Sequence, residues 1–113
     1  MSDSMSEYSP DRWQVVSLVN EEGERIDKVF GSWYGGYGGS DSWKLSSGIT
    51  KVVEHEKYYE VHNVSGSIYE CHKECEGMSM YAYGIFKRFE AKQEEGKYTI
   101  TKIDIKDAQQ IDD

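Results

Sequence analysis

Five short runs rich in β-branched and aromatic residues, each ended by turn chemistry, follow one another from Trp13 to Cys71. Trp13–Val19 reads as a strand, Asn20-Glu-Glu-Gly-Glu24 as a turn, and Arg25–Phe30 as the returning partner. Ile49–Glu54 and Tyr58–Val64 make a second hairpin across His55-Glu-Lys57, and Ser65-Gly66 turns the chain into Ser67–Cys71. Strands this closely spaced pair antiparallel, because a parallel return needs a crossover of a dozen residues or more. The pattern is that of a meander.

After Cys75 the period changes. Ala82, Ile85, Phe86 and Phe89 fall at i, i+3, i+4 and i+7, one face of a helix, with Lys87, Arg88 and Glu90 on the other side. Ser79 supplies an N-cap and Gly96 a terminator after Gln93-Glu-Glu95. Gly84 inside costs about 1 kcal/mol relative to alanine. Met78, Met80 and Ala82 also alternate as in a strand, but the adjacent Ile85-Phe86 pair breaks that pattern.

Lys97–Lys106 returns to strand alternation with a fault: Tyr98 and Ile100 share one face, Ile103 and Ile105 the other. Either both faces are covered or a bulge near Thr101-Lys102 shifts the phase. The expected architecture is α+β: a curved antiparallel β-sheet of about six short strands, meander-like, with one helix over about 79–92 packed across it. Residues 12–106 form the single domain. Residues 1–11 read as a disordered acidic tail and residues 107–113 as an acidic C-terminal tail.

Aliphatic content is thin, with only two leucines (Leu18, Leu45), and the aromatics, nine tyrosines among them, compensate. The formal charge of −8 argues for an acidic protein, but its placement matters. Six of the 21 acids (Asp3, Glu7, Asp11, Asp107, Asp112, Asp113) sit in the tails, leaving fifteen against thirteen bases in the body, about −2. A mimic of the nucleic-acid backbone should carry its charge on rigid elements, and this chain mostly does not. Without a basic stripe, direct nucleic-acid binding is also disfavoured. No apolar run approaches the roughly 20 residues that span a bilayer. The opening segment lacks the basic and apolar regions of a secretion signal, so a cytoplasmic location is the expectation.

Gly31–Trp43 packs four aromatic rings and five glycines into thirteen residues. It reads as a contact loop, too aromatic for an idle linker and too glycine-rich for a regular strand. The glycines do not make a phosphate cradle of the Walker type, because Ser40-Asp-Ser-Trp-Lys44 follows Gly39 in place of a Lys-Ser/Thr pair at a helix start. The dinucleotide fingerprint fails for want of a parallel βαβ unit. Tyrosine with glycine and serine is the chemistry of adaptable protein contacts. Partner binding is therefore assigned to Trp33, Tyr34, Tyr37, Asp41 and Trp43, aided by Glu54, Glu56 and Glu60. The competing expectation is that Trp33 and Trp43 fold back to cap the sheet.

All histidines and cysteines lie between His55 and Cys75. His62, Cys71, His72 and Cys75 are a candidate zinc set, although Cys71 and His72 point to opposite faces if both lie on a strand. A cysteine nucleophile is disfavoured, since six glutamates between Glu54 and Glu76 against Lys57 and Lys73 work against a thiolate. The residues thus point to a small non-enzymatic protein-binding module with no cofactor. Small size, acidity and lack of catalytic apparatus suit a phage or mobile-element inhibitor of a host nucleic-acid-processing enzyme. The alternative is a zinc-stabilised or small-ligand-binding regulatory domain. Edge strands and exposed tyrosines are compatible with a homodimer.

Overall fold

A computed structural model describes residues 7–36, 38–92 and 98–111. Among them the chain runs β1 (Glu7–Tyr8), β2 (Arg12–Asn20), β3 (Arg25–Trp33), β4 (Ser42–Leu45), β5 (Ile49–Glu54), β6 (Tyr58–Asn63), β7 (Ile68–His72), α1 (Met80–Lys92) and β8 (Tyr98–Ile103). Short 3₁₀ turns occupy Lys73–Cys75 and Ile105–Asp107. The fold is α+β, as the sequence implies. Its strands divide between two four-stranded sheets, ordered β1-β7-β6-β5 and β4-β3-β2-β8, instead of one six-stranded meander. Among the described residues the strands pair antiparallel except β1 with β7, and an isolated bridge joins Trp13 to Glu76 in parallel.

The hairpins form where the turn residues allow. Asn20 closes the β2–β3 turn by accepting from the amides of Glu22 and Glu24 at 2.9 Å through its side chain, with Gly23 at φ +85°. The helix begins at the expected cap: the Ser79 hydroxyl accepts from the Ala82 amide at 3.1 Å. The terminator proposed at Gly96 lies outside the described residues.

Two sheets arise because β2 is apolar on both faces. Trp13 and Val15 join Val29, Ile49, Tyr59, Val61, Tyr69 and Cys71 in a core between the sheets. Val16 faces the other way, packing with Phe30, Ile100, Ala82 and Phe86 beneath α1. The β2 sheet is thus the middle layer, with the helix on one side and the β6 sheet on the other. This accounts for the phase fault in the last strand. Ile100 faces the helix and Ile103 packs on the inter-sheet core, and the β2–β8 register is continuous from Val15↔Ile103 to Asn20↔Tyr98. The register shift falls instead between β5 and β6, near Ile49 and Lys51.

The expected tails need correcting where they are described. Glu7 and Tyr8 pair with Ile68 and Tyr69, and the Tyr8 ring lies 5.0 Å from that of Tyr69. Pro10 is buried against Gly31, where an added Cβ would come within 3.1 Å of the proline ring. The described part of this polar segment therefore brings Tyr8 and Pro10 onto the sandwich. At the other end Ile105 is buried, the Ile111 amide donates to the Ile49 carbonyl at 2.9 Å, and Gln110 accepts from the Val52 amide at 3.0 Å.

Asp27 fixes this C-terminal segment. Its side chain is fully buried, held by Arg25 at 2.8 and 3.0 Å and by the Gln109 amide at 2.7 Å. Burial works to raise its pKa, but the hydrogen bonds from Arg25, Gln109 and Ser17 together outweigh it and hold the carboxyl below its ordinary value. A depressed folded-state pKa stabilises the fold above the unfolded value, and that stabilisation is lost as pH falls through the folded one. Asp27→Asn should cost about 1–3 kcal/mol at pH 7. The gap from the parent should narrow below about pH 4, as measured by urea unfolding at both pH values.

Candidate functional site

The aromatic–glycine segment is a hairpin extension of the middle sheet. Trp33 pairs with Ser42 and Ser32 with Trp43, so both tryptophans lie on strands and residues 34–41 form the connection. Two carboxylates pin its feet. Asp11 accepts from the Tyr34 amide at 2.8 Å, and Asp41 accepts from the Gly35 amide at 2.8 Å. The glycines let the backbone cross itself: a Cβ on Gly35 would lie 2.4 Å from the Ser40 carbonyl carbon, and one on Gly39 2.6 Å from the Gly35 oxygen. Gly35 and Gly39 thus serve close packing, whereas Gly36 and Gly38 take φ of +70° and +76° with open space around them.

The expected contact residues separate into different roles. Trp33 packs edge-on to Tyr8 at 6.3 Å and donates to the Ser9 carbonyl at 3.2 Å. Trp43 packs edge-on to Phe30 and Phe89 at 5.8 and 5.5 Å, leaving it 38% exposed. Asp41 braces the loop. Tyr34 is 55% exposed on a backbone that is itself tied down. Tyr37 lies outside the described residues. Asp11, assigned from sequence to a disordered tail, emerges as a foot of the loop. No local pattern marks it, because its partner is 23 residues away.

The acidic residues lie on the other sheet. Glu54 pairs with Lys73 at 2.7 Å, and Glu56 is exposed in the β5–β6 turn. Glu60 sits between His55 at 2.9 Å and His62 at 2.6 Å, one imidazole to each carboxylate oxygen. Hydrogen bonds from Lys73 hold Glu54, and from His55 and His62 hold Glu60, below the ordinary carboxylate range. These two charges are engaged within the fold. His72 bonds Glu70 at 2.7 Å, so each histidine in the chain meets a carboxylate. The signal was present in the i, i+2 spacing of Glu60 with His62 and Glu70 with His72, which puts each pair on one strand face.

The zinc candidates do not converge. His62 and His72 reach their carboxylates from partly exposed positions, whereas Cys71 is fully buried in the inter-sheet core and Cys75 lies in the 3₁₀ turn. Among the described residues no group of three His, Cys, Asp or Glu side chains is arranged to hold a metal ion. Burial, reinforced by Glu70 and Glu76, pushes the Cys71 thiol far up. Among the described residues no helix is long and apolar enough to cross a membrane. No family model, curated protein or solved structure matches the chain.

The contrast between the thiols is testable. Under native conditions iodoacetamide should modify Cys75 while leaving Cys71 intact, and both should react in denaturant, as read by peptide mass mapping.

Proposed function

We propose that this protein is a non-enzymatic protein-binding module whose contact surface is the β3–β4 hairpin, centred on Tyr34 and flanked by the exposed edge of Trp43. The observation that carries the reading is the combination at Tyr34: a side chain more than half exposed on a backbone fixed by Asp11 and, one residue on, by Asp41. Ordering a flexible loop on binding costs free energy, and a loop already held in shape avoids most of it. Tyrosine adds a large amphipathic contact with few rotatable bonds. The intramolecular partners of Glu54 and Glu60 make the hairpin, and not the acidic face, the centre of the proposed contact. A host nucleic-acid-processing enzyme remains the proposed class of partner, on the strength of the chain's small size and acidity.

Native mass spectrometry of the protein recovered from its own cells should show a stoichiometric complex with a second protein. Tyr34→Ala should then weaken that complex by about 2 kcal/mol, roughly 30-fold in Kd, as expected of a central aromatic contact. Its melting temperature should stay close to the parent's, since exposed positions contribute within about 0.5 kcal/mol. Recovery of the bare chain alone, or an unchanged Kd in the variant, would overturn the proposal.

A further inference from the structure

β4 lies at an edge of the middle sheet, paired with β3 on one side and with no described strand on the other. The register decides which of its backbone groups are open. The Ser46 amide donates to the Val29 carbonyl at 2.9 Å, and the pairing continues from Phe30↔Leu45 to Trp33↔Ser42. Opposed residues of an antiparallel pair alternate between exchanging both backbone bonds and exchanging none. Ser42, Lys44 and Ser46 therefore turn their backbone groups toward β3, whereas Trp43 and Leu45 turn theirs outward. Among the described residues these outward amides and carbonyls have no partner.

The side chains of β4 alternate in the other direction. Trp43 and Leu45 lie on the helix side, against the cluster that contains Phe30. Lys44 lies on the opposite side, its ammonium 5.3 Å from the Tyr8 ring centroid, and forms no ion pair with a described carboxylate. The outer sheet, by contrast, has chain along both edges: β1 on β7, and Gln110 and Ile111 on β5. No described segment runs along β4, and neither a proline nor a register shift interrupts it.

We propose that β4 is a strand-addition site for an extended segment of a partner protein. The segment runs antiparallel, with apolar side chains opposite Trp43 and Leu45 and a carboxylate opposite Lys44. Main-chain bonds to the outward groups supply affinity for extended backbone, and the alternating side chains supply selection. A lysine on an edge discourages indiscriminate pairing, whereas a carboxylate directly opposite gains from it. The same lysine disfavours a second copy of this chain as the occupant. The two-fold pairing that uses both outward residues of each strand sets Lys44 against its own counterpart, and like charges so placed destabilise a sheet. The inference rests on the hairpin reading for its class of partner, and extends that contact from Tyr34 along the strand that follows.

Titration of isotope-labelled protein with the peptide acetyl-Thr-Ile-Glu-Val-Thr-amide tests the edge by itself, because the peptide spans only the positions opposite 42–46. Binding should be saturable and should slow hydrogen exchange of the Trp43 and Leu45 amides about tenfold or more, leaving those of Lys44 and Ser46 unchanged. N-methylation of the peptide's Ile and Val removes the donors that would face β4 and should abolish binding with the protein unaltered. Lys44→Glu, at an exposed position, should weaken binding about tenfold, and a peptide with Lys in place of Glu should restore it. Absence of saturable binding would overturn the proposal, as would binding that survives N-methylation or ignores the charge exchange. Concentration-dependent protection of the Trp43 and Leu45 amides in the free protein would also overturn it, by placing a second copy at the edge. A Tyr34-dependent complex in cells without peptide binding would overturn the edge site and leave the hairpin reading standing. Peptide binding without any such complex would do the reverse.

Discussion

The indole of Trp13 is the point through which the two sheets are joined. Its ring is wholly buried between them, edge-on to Tyr59 at 6.1 Å, and its Nε1 donates to the His72 carbonyl at 2.6 Å. The Trp13 carbonyl accepts from the Gly77 amide at 2.7 Å. One residue of the middle layer thus fixes the end of β7 and the path of the chain toward α1. Tryptophan suits this place because it combines a large apolar body with a single donor that must be satisfied when buried. With β2 located, Val16 on its opposite face sets where the helix can lie.

A middle sheet covered on both sides uses scarce aliphatic residues efficiently. Val15 and Val16 are adjacent, yet each is fully buried in a different core. Aromatic side chains supply much of the remaining volume, with Tyr59 and Tyr69 inside the sandwich and Phe30 and Phe86 under the helix. The partly exposed groups near the hairpin follow from the same shortage. Trp43 is used half as packing for Phe30 and Phe89 and half as surface.

What could be read in the sequence was local. The Asn20–Glu24 turn, the Ser79 cap and the helical stripe from Ala82 to Phe89 each depend on residues within one or two turns of chain, and each forms as its chemistry dictates. What could not be read depends on distant partners. Ser42–Leu45 becomes a strand because Phe30–Trp33 offers it an edge, although its own composition reads as loop. Asp11 and Tyr8 look like tail residues until Tyr34 and Tyr69 appear beside them. The division of strands between two sheets was equally hidden, since alternation reports that a face is covered and not by what. At the candidate site, the exposure of Tyr34 and the packing of Trp33 were indistinguishable from composition alone.

The segments flanking the domain have an effect beyond the contacts they make. The outer sheet would otherwise present β7 and β5 as open edges, rows of unpaired amides and carbonyls that invite strand addition from another molecule. On one side β1 covers β7 through Glu7 and Tyr8. On the other, Ile111 and Gln110 occupy backbone groups of Ile49 and Val52 along β5. Both ends of the described chain therefore act as guards against self-association. Trimming by proteolysis at either end would expose a template for aggregation in a protein whose core could still be intact.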